Sequence, residues 1–267
     1  MGKVASIAGA LLVCSGFASA VDLKPETAAA FDRYIAQVEA RLEPQFRGEH
    51  FLWFDDAPSA RDQIKKGGVV AQPLQGNGIV DMKGGLVQDW VGAIFVPKAK
   101  LESALGILED FDHHREFFKP DIAETKLISR EGEDFLVYLR IVKSKFLITD
   151  VLNTDNLIQF RRVDPRRAYS RAQSRRIAEV NDAGKPAEHE LPVGKDRGLL
   201  WRLYGYWFFE ERDGGVYITC ESITMTRDVP AILAKLLNPI THDFPGEALR
   251  NSLEQTRASI LTVLGLK

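Results

Sequence analysis

Two kinds of side chain in this sequence could carry chemistry: a histidine pair among carboxylates, and arginines set into apolar strands. His113 and His114 are adjacent, and aspartates stand nearby at Asp110, Asp112 and Asp121. Imidazole and carboxylate groups bind metals, but adjacent side chains rarely reach one ion, and the chain has no HExxH spacing. We therefore expect no metal and no cofactor.

The arginines are concentrated in one stretch, within which only Asp164 offsets them. They are Arg161, Arg162, Arg166, Arg167, Arg171, Arg175 and Arg176. One interpretation is a solvated sheet face paired with acidic residues, among them Glu210, Glu211 and Glu221. The other is an inward arginine that binds an acidic ligand group, because an inward charge is costly unless it is paired.

Arg176 is the better candidate for the inward position. Strand alternation would place it on one face with small residues that leave room inside, namely Ala172, Ser174 and Ala178. Arg140 and Arg202 are also lone charges in apolar strands, so each is either outward and solvated or inward and functional.

Composition limits the partners. A net charge of −2 with 45% hydrophobic residues is ordinary for a globular protein and gives no electrostatic case for binding nucleic acid. The sequence has no nucleophile elbow, phosphate loop, dinucleotide fingerprint or CxxC pair. The absence of such motifs does not exclude an enzyme.

The first twenty residues read as a secretory signal peptide. Lys3 is the only charge before Asp22, the stretch from Val4 to Phe17 is small and apolar, and Ala18-Ser19-Ala20 fits a cleavage site. The alternative is an uncut membrane anchor, for which the apolar run is short. We expect a periplasmic or secreted protein. Cleavage would leave Cys220 as the only cysteine, and therefore no internal disulfide.

The chain is organised around a long predicted hairpin from Gly198 to Met225. Two aromatic and β-branched runs flank Asp213-Gly214-Gly215, and Asp-Gly between such runs is a strong hairpin signal. Trp201, Tyr204 and the aromatic residues that follow lie on both faces of the first arm. A helix start is predicted after the second arm, at Thr226 to Pro230.

The other elements follow from periodicity and turn residues. A helix is predicted from Pro25 to Glu43 and closed by Pro44, with Phe31, Ile35, Val38 and Leu42 on one side. The last helix, roughly Gly246 to Leu264, has Leu249, Leu253 and Ile260 on its apolar side. The predicted strands are Leu86 to Val96, Ile122 to Ser129, Phe135 to Val142, Leu147 to Phe160 and Ala168 to Val180, and a helix is predicted from Lys98 to Glu109.

This order of elements resembles the START-like (SRPBCC, helix-grip) superfamily, which includes polyketide cyclase-like and Bet v 1-like proteins. The residues that carry the resemblance are Asp89 to Pro97 (DWVGAIFVP), Leu105 to Asp112 (LGILEDFD), Phe117 to Ile122 (FFKPDI), Tyr206 to Glu211 (YWFFEE) and Val216 to Ile218. The resemblance implies an α+β fold in which a curved antiparallel sheet wraps around the C-terminal helix and leaves an apolar cavity. The helix near the N-terminus is extra to this pattern.

The expected organisation is a signal peptide at 1–20, a helical extension and linker at 21–77, and a START-like domain at 78–267. The leading hypothesis is a binding protein of the cell envelope that holds a lipid or another hydrophobic small molecule, with peripheral membrane contact as a further expectation. The ligand-binding residues are predicted to be Arg140, Arg176, Trp201, Tyr204, Glu221 and Leu253.

Two alternatives stay open. One is a cyclase- or hydrolase-type enzyme in the same cavity, with an inward pair such as Arg176 and Glu221, because a carboxylate in an apolar pocket has a raised pKa. The other is an interaction module that binds protein through the apolar patch Phe51 to Phe54 and the N-terminal helix.

The leader makes a testable prediction. We expect the exported chain to begin at Val21, because the small residues Ala18 and Ala20 stand where signal peptidase cleaves. N-terminal sequencing of the envelope fraction checks this, and a chain that retains Met1 or Gly2 would contradict it.

Overall fold

The chain is described by a computed structural model over residues 21–55, 57–145, 148–228 and 244–266. The strands are β1 (Val21–Asp22), β2 (Val70–Pro73), β3 (Ile79–Met82), β4 (Gly85–Pro97), β5 (Ile122–Glu131), β6 (Asp134–Lys145), β7 (Ile148–Asp164), β8 (Arg167–Asn181), β9 (His189–Glu190), β10 (Lys195–Asp196), β11 (Arg202–Arg212) and β12 (Gly215–Thr226). The helices are α1 (Pro25–Phe46), α2 (Pro58–Lys65), α3 (Leu101–Leu108), α4 (His114–Phe117) and α5 (Phe244–Val263), and a 3-10 turn spans Phe111–His113.

One antiparallel sheet dominates the structure. Among the described residues it has ten strands in the main order β2-β4-β12-β11-β8-β7-β6-β5, with β3 paired to β4 and β9 paired to β8. β1 and β10 form a separate two-stranded sheet. The predicted class is confirmed: an α+β fold with a long antiparallel sheet, a C-terminal helix packed on it and an additional N-terminal helix.

The central hairpin forms where the sequence predicts it. β11 and β12 are paired from Arg202 opposite Met225 to Arg212 opposite Gly215. Asp213 and Gly214 have φ angles of 57° and 79°, the left-handed conformation that a two-residue type I′ turn requires.

The C-terminal helix α5 covers one face of the sheet, here called the α5 face. Leu249, Leu253 and Ile260 are buried in one cluster with side chains of β4 and β12, as predicted. The closest approach is at Gly92 of β4, where an added Cβ would lie 2.5 Å from Leu253 Cδ1. Glycine at this position therefore lets α5 dock directly against the strand.

The N-terminal helix α1 covers the opposite face, here called the α1 face. Its predicted apolar side is buried, together with Phe46 one turn further on. Phe31 packs edge-on against Tyr204 of β11 with 5.4 Å between ring centroids, and Phe46 stacks on Phe208 at 5.7 Å. The extra helix is thus an integral layer of the fold.

Cover on both faces explains why the hairpin is aromatic on both sides. Along β12, Ile218 and Cys220 belong to the α5-side cluster, whereas Tyr217 and Ile223 belong to the α1-side cluster. A strand that is buried on both faces has a nearly continuous apolar sequence instead of an alternating one. Cys220 is buried, as its position in a strand predicts.

Helix α1 continues past the point where Pro44 was expected to end it. The helix runs to Phe46, and Arg47 N still donates to Glu43 O at 3.2 Å. Proline removes one intrahelical donor, and a single missing bond in the last turn does not stop the helix. Gly48 ends it instead, with a φ of 88° that suits a glycine just beyond a helix.

The apolar patch from Phe51 to Phe54 is part of the core. Phe51 is 3% exposed and packs edge-on against Phe208, and Phe54 is 0% exposed and packs against Tyr217. The hypothesis that this patch is a protein-docking surface is therefore wrong, because the rings of Phe51 and Phe54 are buried against the α1 face of the sheet.

Some predictions lie beyond what the structure describes. The predicted helix start at Thr226 to Pro230 extends into residues 229–243, outside the described residues. The domain boundary near residue 77 stays a prediction, although β2 on its N-terminal side pairs with β4. No helix of the described residues is both long enough and apolar enough to cross a membrane.

The docking of α5 predicts the effect of a charge at its centre. Leu253→Asp should lower the free energy of unfolding by about 3–5 kcal/mol, because it places a carboxylate against buried apolar side chains. Ala258→Asp is the control, since Ala258 is exposed on the same helix, and should change the stability by less than about 0.5 kcal/mol. Urea denaturation followed by circular dichroism measures both. Equal stability of Leu253→Asp and wild type would contradict the docking.

Candidate functional site

The α5 face carries partly exposed apolar side chains beside its buried core. We call the set formed by Leu139, Ile158, Leu203 and Trp207 the apolar strip. All four are partly buried and pack against the clusters on this face. On this face, α5 lies over the part of the sheet formed by β4 and β2. The apolar strip on β6, β7 and β11 lies beyond the helix and keeps contact with solvent.

Small residues lie beside the apolar strip. Gly205 of β11 is opposite Ala172 of β8, which is opposite Ile158 of β7. Directly opposed residues share a face, so Gly205 and Ala172 present little side-chain volume on the α5 face. The indole of Trp207 lies over Gly205, where an added Cβ would be 3.1 Å from Trp207 Nε1.

Neutral polar side chains lie buried beneath the same surface. Asn156 Nδ2 donates to Thr154 Oγ1 at 2.8 Å, and Thr154 Oγ1 donates to Leu139 O at 3.1 Å. Ser174 Oγ accepts from Leu203 N at 3.0 Å. An apolar surface with a few fixed hydrogen-bonding groups is the usual lining of a small-molecule site.

Trp201 and Tyr204, two predicted ligand-binding residues, lie on the α1 side. Trp201 Nε1 donates to Asp196 Oδ1 at 3.0 Å, and Tyr204 accepts a hydrogen bond from Gln173 while packing against Phe31. Leu253 lies on the α5 face. The structure therefore does not bring these residues together in one site.

Glu221 also lies on the α1 face and is almost fully buried. Its partner is Arg41 of α1, whose Nη2 donates to Glu221 Oε1 at 2.5 Å. The hypothesis of an inward pair between Arg176 and Glu221 is therefore wrong. The pKa of Glu221 is raised to about 7, chiefly by burial and also by the nearby Asp89, while Arg41 opposes both effects.

Arg176 faces the other way from the direction that simple alternation predicts. Asp155 pairs with Arg176, but the adjacent Asn156 pairs with Ser174, so Arg175 is an extra residue in β8. Such a β-bulge shifts the alternation by one residue. Arg176 consequently lies on the face opposite to Ser174, and the expectation of a shared face is wrong.

Arg140 and Arg176 meet in one polar network. The Arg176 guanidinium donates to Glu190, whose Oε1 accepts from Asn153 Nδ2 at 2.8 Å. Arg140 donates to Asn153 Oδ1 at 3.3 Å and to Glu188 Oε2 at 3.0 Å. Each guanidinium is thus paired within the protein. The ligand-binding roles of the six predicted residues stay predictions.

Most of the other arginines in the basic stretch also have partners. Arg162 binds Glu102 through two hydrogen bonds of 2.5 and 2.8 Å, and Arg161 is 2.6 Å from Asp134. Arg171 stacks over the ring of Phe46 at 4.0 Å. This arrangement supports the paired-surface interpretation, although the acidic partners differ from those expected.

The histidine pair is split between two environments. His113 is exposed and within 2.8 Å of Asp110, whereas His114 is partly buried and its Nε2 lies 2.9 Å from Leu108 O. Burial lowers the pKa of His114 to about 4. Within the described ranges, no three side chains of His, Cys, Asp or Glu are grouped to hold a metal ion.

Three residues of the Glu221 environment were missed in the sequence: Tyr34, Arg41 and Asp89. Tyr34 OH donates to Asp89 Oδ2 at 2.6 Å. A usable signal was present, because Asp89 is a lone carboxylate inside the apolar run of β4. Tyr34 and Arg41 carried no such signal, since polar residues are ordinary on a helix that was not known to be covered.

The position of Arg176 generates a prediction. For a ligand bound on the α5 face, Arg176→Met should leave the affinity within about twofold, because the guanidinium lies on the opposite face. Titration of a fluorescent fatty acid measures this, with Arg175→Met as the matched control at the neighbouring exposed position. A loss of about tenfold in Arg176→Met alone would instead establish Arg176 as the anchor for an acidic group.

Comparison with known proteins gives structural similarity without a family assignment. No protein-family model matches the chain, and no curated protein matches it. Solved structures of START-like and related domains do match. The protein TTHA0849 from Thermus thermophilus has a TM-score of 0.45 at 14% identity, over 65% of this chain and 97% of that one. A STAR-related lipid transfer protein from Xanthomonas axonopodis has 0.41 at 19% identity, over 66% and 99%. Human STARD10 has 0.42 at 13% identity, over 71% and 76%.

Proposed function

We propose that this protein binds a lipid or another apolar small molecule on the α5 face of its sheet. The observation that carries the proposal is the apolar strip, whose four side chains border a buried core and yet keep contact with solvent. Each Å² of apolar surface removed from water contributes about 25 cal/mol to binding before the costs of association. An apolar ligand laid along the strip would therefore gain from covering it.

The shape of the surface favours a chain or ring lying across the strands. Ala172 and Ser174 present little side-chain volume, the indole of Trp207 lies over Gly205, and Ile158 stands beside them as an apolar wall. A ligand that crosses this point would contact side chains from three neighbouring strands. This geometry favours an elongated apolar group.

The polar groups of the surface suggest how the ligand would be oriented. Asn156, Thr154 and Ser174 are neutral, buried and already engaged in hydrogen bonds at 2.8–3.1 Å, so none of them supplies a counter-ion to a ligand. Neutral donors and acceptors favour a hydroxyl, carbonyl or ester group over a bare charge, because a charge buried beside them would lack a counter-ion. The preferred ligand is thus apolar with a neutral polar end.

We place this activity in the cell envelope. The support is the N-terminal leader, with its Lys3, apolar run and small residues up to Ala20. Contact with a membrane surface would be the natural source of an apolar ligand for an exported protein.

Blocking the apolar strip tests the proposal. Ile158→Trp should reduce the affinity for the apolar dye Nile red at least tenfold, because the larger ring fills space that the ligand needs while remaining apolar. Leu157→Trp is the matched control, since Leu157 is the next residue of β7, is also partly buried, and pairs with Gln173 on the other face. Fluorescence titration gives both affinities.

A second measurement identifies what is bound. Organic extracts of the purified protein should contain a lipid or apolar compound by mass spectrometry, and the Ile158→Trp protein should contain less of it. Empty extracts in several preparations, together with equal dye binding by both variants, would contradict the proposal.

A further inference from the structure

Two carboxyl groups lie next to each other in the middle of the α1 face. Glu221 of β12 is opposite Val91 of β4, and Asp89 is two residues from Val91 on the same strand. Residues two apart on a strand share a face, so Glu221 and Asp89 are diagonal neighbours across the two strands. They are 5% and 3% exposed, which leaves solvent little access to either charge.

Helix α1 supplies the groups that meet these carboxyls. Tyr34 OH donates to Asp89 Oδ2 at 2.6 Å, and Arg41 donates to Glu221 Oε1 at 2.5 Å. The phenol and the guanidinium are seven residues apart on the helix, two turns along the same side. The carboxyl pair is therefore held by two points of α1.

Other titratable groups face this region from the surrounding elements. Tyr206 OH donates to Glu39 Oε1 of α1 at 3.3 Å, and Tyr204 lies further along β11. Among the described residues, the charged and titratable side chains in and around the pair are Tyr34, Glu39 and Arg41 from α1, Asp89 from β4, Tyr204 and Tyr206 from β11, and Glu221 from β12. Arg171 of β8 lies on the same face, opposite Tyr206, and stacks over Phe46.

The charges of this cluster do not balance if both carboxyls are ionised. Arg41 is the guanidinium that contacts the pair, and its side chain is 40% exposed, so part of its charge is screened by water. Asp89 Oδ1 is buried and has no hydrogen-bond partner among the described residues. An unpaired buried carboxylate is costly, and binding a proton relieves that cost.

We propose that Asp89 and Glu221 together hold one proton near neutral pH and that this proton fastens α1 to the sheet. With the proton bound, one carboxyl is neutral and the other is neutralised by Arg41. Without it, two buried negative charges stand against one half-exposed positive charge. In the undocked state, water would hydrate both carboxylates. Loss of the proton therefore destabilises the docked state relative to the undocked state. This inference is independent of the proposed ligand site, which lies on the other face.

The direction of the pH effect follows from the folded-state pKa values. Burial raises the pKa of both carboxyls, that of Glu221 to about 7 against an ordinary value of 4.5. The docked state therefore binds more protons than the undocked state between these two values. Its stability is complete at the acidic end, falls as pH rises through this window, and is level above it.

Hydrogen exchange of the purified protein tests the proposal locally. After correction for the intrinsic exchange rates, protection of the α1 peptide 25–46 should fall at least tenfold between pH 5.5 and pH 8.5. A change of about this order of magnitude is expected when the docking of α1 is linked to the binding of one proton. The α5 peptide 244–263 should show a much smaller change, because α5 lies on the opposite face.

Replacing the titrating groups should remove the effect. Glu221→Gln keeps the size of the side chain without its charge and should reduce the pH dependence of α1 protection to less than about threefold. Asp89→Asn should do the same and carries the test if Glu221→Gln does not fold. Glu43→Gln is the matched control, since Glu43 is an exposed carboxyl on the same helix, and should keep the wild-type response.

Two results would overturn the inference. One is wild-type α1 protection that does not change with pH, and the other is an undiminished response in both Glu221→Gln and Asp89→Asn. Either would show that the docking of α1 is not linked to a proton on this pair.

Discussion

The structure depends on one constraint: its central strands are apolar on both faces, so both faces must be covered. β4, β12 and β11 bury side chains in two separate clusters, one toward α5 and one toward α1. Neither helix can be removed without exposing a row of large apolar side chains to water. The two covering helices come from opposite ends of the described chain. Both ends of the chain therefore pack against the central strands of the sheet.

Covering both faces also determines where charge is tolerated. Glu179 is fully buried but accepts hydrogen bonds from Leu199 N at 2.7 Å and Arg197 Nε at 2.8 Å, so it acts as a structural acceptor for a loop. Asp89 is buried to nearly the same degree, yet one of its oxygens has no partner among the described residues. Burial raises the pKa of both carboxyls, but of the two only Asp89 has an oxygen without a hydrogen-bond partner in the described part of the chain, and binding a proton relieves that cost.

The two faces differ in how completely they are filled. On the α1 face, the rings of Phe31, Phe46 and Phe54 pack directly against those of the hairpin, with centroid distances of 5.4–5.7 Å for the pairs with Tyr204, Phe208 and Tyr217. On the α5 face, β8 and β11 present glycine, alanine and serine at neighbouring positions, and α5 lies to one side. Large aromatic side chains cover one surface, and small side chains lie at neighbouring positions on the other. The apolar strip, on which we propose that a ligand binds, lies on the second of these surfaces.

Local sequence determined the elements of this protein. The Asp213-Gly214 turn, the apolar side of α1 and that of α5 could be read directly, because turn conformation and helical period depend on residues close together in the chain. Only the tertiary structure decided which charges meet. The β-bulge at Arg175 reversed the predicted face of Arg176, and Glu221 found its partner in Arg41, 180 residues away. The physical reason is the same in both cases: strand register and helix docking are set by packing between distant segments, and a shift of one residue moves a side chain to the opposite face.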